Sequence, residues 1–314
     1  MKLKFVFLLL LFPIWAFPQD KMMAITIDDL PFVRPGNFPA KEVYRKTESI
    51  LKALKRHHAP AIGFVNLFKV YESGEVDSSR YGLLQLWVKQ GFDLGNHTFS
   101  HPDYNKVNFH DFTNDIEKNE PLLKALLKEY RKPLIYFRFP FLHRGNSKPK
   151  VDSITQYLAF KRYTEAPVTI DNSEWIFAAA YDSCLRTHNR SLCKEVGNEY
   201  LKYMESKVKY YEGQSVKLFG HNIRQVLLIH ANSLNADYLD TLLEMFSKKI
   251  GYAFISLAAA LRDEAYQAED HYYKSGGISW MDRWALTQGK NRNFFMGEPF
   301  TPPFIMKLAK VDSE

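Results

Sequence analysis

Cysteine is scarce in this chain: Cys184 and Cys193 are the only two among 314 residues, and no CxxC pattern occurs. That excludes a cysteine-rich zinc module, a thioredoxin-like redox motif and a small scaffold stapled by many disulfides. On one unbroken helix, two residues nine apart would face opposite sides, so a bridge between them needs a break, which the polar stretch 186–190 could supply. Long apolar runs are also missing after residue 17, which leaves no further candidate membrane span. There is no internal repeat and no low-complexity linker. Basic residues are dispersed despite the formal charge of +7. Without a polybasic cluster and interleaved aromatics, nucleic-acid binding has no support. On charge alone a solvated basic surface is the simplest reading, although a mildly basic exported protein also suits an acidic matrix polymer.

What is present begins with a leader. Lys2 and Lys4 precede the apolar run 5–17, which Pro13 interrupts and Ala16 closes. A positive start, a short apolar middle and a small residue read as a secretory signal peptide over residues 1–19. The mature protein is then expected in the periplasm or outside the cell, with no stable membrane span and with a disulfide permitted.

Beyond the leader, apolar β-prone runs alternate with helical periodicity. Strands are expected at 22–27, 61–66, around 93–96, at 134–139, near 162–170, at 224–231 and at 252–256. Helices are expected at 40–57, 79–90, 109–130 with Pro121 as a kink or a restart, 149–159, most of 173–212, and 235–249. Such alternation implies a largely parallel sheet covered by helices. The domain is expected over 22–266, and residues 267–314 read as an irregular extension packed on it.

Functional groups of parallel α/β folds gather where strands end. Here Asp28 and Asp29 follow the first strand, His97 and His101 follow Phe92-Asp93-Leu94-Gly95, Arg138 closes another strand, and His230 closes a fourth. Two carboxylates, three imidazoles and a guanidinium at four strand ends are the usual mark of a site. The i, i+4 spacing of His97 and His101 would aim both rings from one face of a helical turn. Thr98 stands where a zinc-protease HExxH motif needs Glu, which removes that reading. Two His and one carboxylate is a common catalytic zinc shell, with Asp29 the natural third ligand and Asp28 free to act as a base.

These residues resemble the five motifs of the polysaccharide deacetylases, carbohydrate esterase family 4 with its NodB homology domain. Thr26-Ile27-Asp28-Asp29 is similar to the first motif, and His97-Thr98-Phe99-Ser100-His101 to the second. Arg138-Phe139-Pro140-Phe141 is similar to the third, Asp171-Asn172-Ser173-Glu174-Trp175 to the fourth, and Leu227-Leu228-Ile229-His230 to the fifth. The resemblance implies an α/β fold, a distorted (β/α) barrel. It also implies a divalent metal, Zn2+ first and Co2+, Ni2+ or Mn2+ as alternatives, held by Asp29, His97 and His101. By the same resemblance Asp28 would be the base, His230 the acid, and Arg138 the partner that keeps Asp28 ionised. An acid of the fourth motif would pair with His230: Asp171 is the choice, with Glu174 and Asp182 as rivals. Pro140, Phe141 and Trp175 would line a groove for an acetylated glycan such as peptidoglycan or a chitin-like oligomer. The implied reaction is hydrolysis of a carbon–nitrogen (amide) bond. An O-acetyl esterase, a non-sugar amidohydrolase and an inactive glycan-binding protein are the alternatives.

Several residues have plainer readings. His57 and His58 end a helix and can interact with its last carbonyls. His143 reads as an exposed loop residue, and His221 has no evident partner. Trp280, Trp284, Phe294 and Phe295 are more simply packing aromatics than sugar-stacking ones.

Overall fold

The computed structural model describes residues 21–314. The expected signal peptide lies outside them. No helix among the described residues is long and apolar enough to cross a membrane.

Nine strands are present among the described residues: β1 (Lys21–Leu30), β2 (Ile62–Val65), β3 (Tyr71–Glu72), β4 (Glu75–Val76), β5 (Asp93–Asn96), β6 (Tyr136–Phe137), β7 (Thr164–Glu165), β8 (Gln225–His230) and β9 (Tyr252–Phe254). Strands β3 and β4 form a separate antiparallel hairpin, which the sequence did not announce. The others form one parallel sheet in the order β7-β6-β5-β2-β1-β8, with β9 beside the start of β1. The chain running on from β7 returns to the far edge, where Ile170 bridges Leu227 of β8. Thr169 N and Ile170 N both donate to Val226 O, at 3.0 Å. One segment therefore contacts both edges and curls the sheet into a distorted barrel of the α/β class.

Strand alternation sorts the side chains. Met23, Ile25 and Ile27 of β1 join the large cluster beneath the helices. Ala24 joins Ile62, Phe64, Ala166 and Val226 in a smaller cluster, closed by Leu257 and Ala260 of α9 (Leu257–Ala260). Few and mostly small side chains suit the interior of so narrow a barrel.

The outer helices follow the expected periodicity. In α1 (Ala40–Arg56), Val43, Thr47, Ile50, Leu51 and Leu54 are the buried stripe. α2 (Ser78–Lys89) is capped by Asp77, whose side chain accepts from Arg80 N. Pro121 starts a new helix instead of kinking one: α3 (Phe109–Lys118) ends at Asn119, and α4 (Glu120–Glu129) begins after it. α5 (Lys148–Phe160) precedes β7. The expected break between the cysteines separates α6 (Glu174–Arg186) from α7 (Arg190–Phe219), and Cys184 and Cys193 are disulfide-bonded with their Cα atoms 5.4 Å apart. α8 (Ser233–Glu244) follows β8, capped by Asn232, and runs into a wider turn at Met245–Ile250.

The tail is more ordered than its composition suggested. It forms α10 (Trp280–Thr287) and α11 (Pro303–Ala309), and Trp280, Met281, Trp284 and Ile305 enter the large core. Trp280 and Trp284 are packing residues, as their plainer reading held.

Candidate active site

Parallel strands place all their C-terminal ends on one rim, and the polar groups singled out from the sequence meet there. Asp28 of β1 lies opposite His230 of β8 in the strand register. Between Ile27 and Leu30 the pairing with β2 slips by one residue, and Asp29 sits at φ 70°. This is a bulge, and a bulge re-aims a side chain that strict alternation would send to the opposite face. Both acids thus reach the rim: Asp28 faces the barrel interior and Asp29 faces the loop after β5.

That loop is not a helical turn, contrary to the expectation from the i, i+4 spacing. Thr98 and His101 adopt left-handed backbone conformations, with φ 67° and φ 61°. The two imidazoles nevertheless come together, their centroids 4.9 Å apart. His97 is buried and its Nδ1 donates to Arg138 O at 2.8 Å, which leaves Nε2 as the free acceptor. One nitrogen or oxygen from each of Asp29, His97 and His101 falls within 4.8 Å of the others. Asp29 Oδ1 is buried and has no hydrogen-bond partner of good geometry among the described residues, although the Lys69 ammonium lies 2.9 Å away.

Protonation states suit a cation. Burial lowers the pKa of His97 well below the ordinary histidine value, and the neighbouring His101 adds to this. Burial also lowers that of His101. Burial works against an ionised Asp29, but Lys69, His101 and His230 together outweigh it and hold the carboxyl below its usual range. Two neutral imidazoles and a carboxylate are the donor set a divalent metal requires.

Asp28 lies between two cations. Arg138 is fully buried and donates from Nη1 to both oxygens of Asp28, at 3.3 and 3.4 Å. Its Nη2 reaches Thr26 Oγ1 at 3.0 Å, its Nε reaches Ala166 O at 2.7 Å, and its plane covers the Phe64 ring at 4.7 Å. Burial pushes the Asp28 pKa up to about 6, against the pull of Arg138 and His230. Arg138 therefore limits the rise without abolishing it.

His230 is paired with Glu174, not with Asp171. Its Nδ1 lies 2.7 Å from Glu174 Oε2, and the other carboxylate oxygen accepts from Asn235 Nδ2 at 2.8 Å and from Asn232 Nδ2. Asp171 instead accepts from Asn172 N at 2.8 Å. The reason is positional: Asp171 follows the bridging strand segment, whereas Glu174 opens α6 beside β8. Burial opposes charge on His230, but the hydrogen bond and charge of Glu174 raise its pKa to about 9.

Phe141 and Trp175 are 53% and 46% exposed, so both offer apolar faces to solvent at the rim, while Pro140 is buried. The Phe141 ring packs edge-on to His101, 4.5 Å between centroids. His143 pairs with Asp103 at 2.7 Å, and His57 with Asp240 at 3.0 Å. His221 lies 3.5 Å from Asp263. Lys69 is the site residue that sequence reasoning missed: it sits in the short turn Leu67–Val70, where no spacing or motif marks it.

Fold and site together define a parallel α/β barrel with a carboxylate–imidazole triangle at the ends of its strands. Residues 17–160 match the model of a family described as polysaccharide deacetylase. Within the chain, 110 residues are 34% identical to a peptidoglycan-N-acetylglucosamine deacetylase of Bacillus cereus, covering 35% of this chain and 34% of that protein. The chain thus spans about a third of that curated relative's length. Among solved structures, a polysaccharide deacetylase from Bacillus cereus superposes with a TM-score of 0.52 at 16% identity, covering 75% of this chain and 91% of that one. A pseudoenzyme of carbohydrate esterase family 4 from Bacillus anthracis gives 0.51 at 18% identity, covering 78% and 66%. At such identities these two comparisons bear on the fold alone.

Proposed function

We propose that this chain is a metal-dependent hydrolase that removes acetyl groups from the N-acetylated sugars of a polysaccharide or oligosaccharide, of the peptidoglycan or chitin-like kind. The observation that carries this reading is the triangle of Asp29, His97 and His101 with Asp28 and His230 flanking it. Asp29, His97 and His101 would hold a divalent ion, with zinc the first choice and cobalt, nickel or manganese as alternatives. Such an ion supplies Lewis acidity and a more acidic bound water.

The chain's own residues supply the proton traffic. Asp28 accepts the proton of the attacking water, and Arg138 fixes its orientation from the interior side. His230, kept protonated by Glu174, donates to the departing amine nitrogen. That donation matters because an amide does not readily expel an unprotonated amine. Phe141 and Trp175 offer apolar faces to the sugar, and their exposure supports that role. The disulfide supports export, since bridges persist in oxidising compartments.

The test is acetate release from N-acetylglucosamine oligomers and peptidoglycan fragments, before and after chelation and again with zinc restored. We expect release that chelation abolishes and zinc returns. Absence of release by every metal-loaded form on every N-acetylated sugar would overturn the reading. Faster release from O-acetylated xylan would move the activity to ester hydrolysis. The Lys69 ammonium beside Asp29 favours one competing reading, a glycan-binding protein without turnover; glycan binding by a zinc-loaded but inactive chain would establish it.

A further inference from the structure

We propose that three buried asparagines, Asn66, Asn96 and Asn119, are positioning residues for the loop from His97 to His101, and that they set the site's affinity for a divalent cation without touching the cation or the substrate. This rests on the metal reading given above.

The loop needs an external hold. Thr98 is β-branched, and its φ of 67° is an outlier for such a side chain. Conformations of this kind cost on the order of 1–3 kcal/mol and persist only where the surroundings over-determine them. His101 adds a second left-handed residue. Its own N–H reaches Thr98 Oγ1 at 3.1 Å, which ties the loop to itself but not to the barrel.

The three asparagines make that connection. All are fully buried. Asn66, just past β2, donates from Nδ2 to His97 O at 2.6 Å and to Thr98 O at 3.2 Å. Asn96, the residue before His97, accepts from Thr98 N at 2.8 Å. Asn119, between α3 and α4, donates to Asn96 Oδ1 at 2.9 Å and to Val65 O at 2.8 Å, and accepts from Leu67 N at 2.9 Å. Asn96 Nδ2 completes the network on Ile116 O at 3.1 Å and on the Tyr163 hydroxyl at 2.9 Å. Both peptide groups flanking the strained residue are thereby held by amide side chains.

One detail separates this arrangement from ordinary core packing. Asn66 Oδ1 is buried and has no hydrogen-bond partner among the described residues. An unsatisfied buried oxygen costs about 1–3 kcal/mol, so this side chain is a poor choice for stability alone. Its two donors, both spent on the ligand loop, are what it provides. Groups that orient metal ligands from behind are typically worth about 10–100-fold in metal affinity.

The experiment titrates zinc calorimetrically into the metal-stripped full chain, and records the absorption spectrum with cobalt, for the natural protein, Asn66→Ala and Asn66→Asp. Thermal unfolding of each metal-free form checks that it is folded. We expect one zinc per natural chain, and in the variants a roughly 10–100-fold weaker affinity with altered cobalt bands. A purely structural role would lower the unfolding midpoint and leave affinity and cobalt spectrum of the folded fraction unchanged; that result overturns the proposal. If Asn66→Ala does not fold, Asn66→Asp, which retains the size of the side chain, carries the same criteria. A natural chain that binds no zinc overturns the metal reading itself, and this proposal with it, and is distinguishable because it needs no variant.

Discussion

Two adjacent carboxylates at the end of β1 are driven in opposite directions. Lys69 and the imidazoles hold Asp29 ionised, whereas burial lifts Asp28 to about 6 despite Arg138. Across the rim, Glu174 lifts His230 to about 9. A base must be deprotonated and an acid protonated, so both are competent together between those two values. The rate should therefore fall below about pH 6, where Asp28 gains its proton, and above about pH 9, where His230 loses its own. A bound cation favours the ionised carboxylate and moves the acid limb lower. Glu174→Gln removes the negative charge that raises His230, so the basic limb should shift to lower pH. A pH profile of kcat/KM checks this. An unmoved basic limb would remove Glu174 from that role.

Elements carry the next layer. The disulfide ties the end of α6 to the start of α7, and α6 also presents Glu174 at its other end. Closing a loop this short restricts the unfolded chain by about 2–3 kcal/mol. Cys184→Ala with Cys193→Ala should then lower the unfolding midpoint by roughly 3–5 °C. Zinc affinity should not change, because the proposed ligands lie on β1 and the loop after β5. Differential scanning calorimetry with and without reductant measures the first effect. An unchanged midpoint would mean that packing of α6 against its neighbours suffices.

The same elements show what the sequence could disclose. Strand ends and helix starts were legible because apolar runs and caps are local signals: the buried stripe of α1 and the acids closing β1 could both be read directly. The bulge that re-aims Asp29 was not legible, since it depends on how β1 pairs with β2. The loop from His97 to His101 kept the ligand spacing but not the expected helical turn, because asparagines distant in sequence override local preference. Glu174 displaced Asp171 for a similar reason: which acid of a motif meets His230 depends on where α6 begins, a tertiary fact. Lys69 had no local signal at all.

At the scale of the whole molecule, the segment after residue 266 packs against the barrel and against the loop that carries Phe141. Trp280 N donates to Val168 O at 2.7 Å, next to the segment that closes the barrel. Asn105 Nδ2 donates to Ser275 O at 2.9 Å. Two residues on, Gly277 lies against the loop that carries Phe141: a Cβ there would fall 1.8 Å from Phe141 O and 3.0 Å from His143 Cδ2. Phe141 and Leu142 are themselves in left-handed conformations, so this loop has little freedom to yield. Gly277→Ala must displace it, and with it the exposed ring beside His101. A shift of about 1 Å at a positioning group can cost up to about 10²-fold in rate. We expect a lowered kcat/KM on N-acetylated oligosaccharides with zinc affinity retained, because Asn66 holds the backbone of the loop from His97 to His101 independently of Phe141. Steady-state kinetics and zinc titration on the same preparation check both halves. Unchanged kinetics in a folded Gly277→Ala chain would mean that the extension only covers the barrel and does not shape the groove.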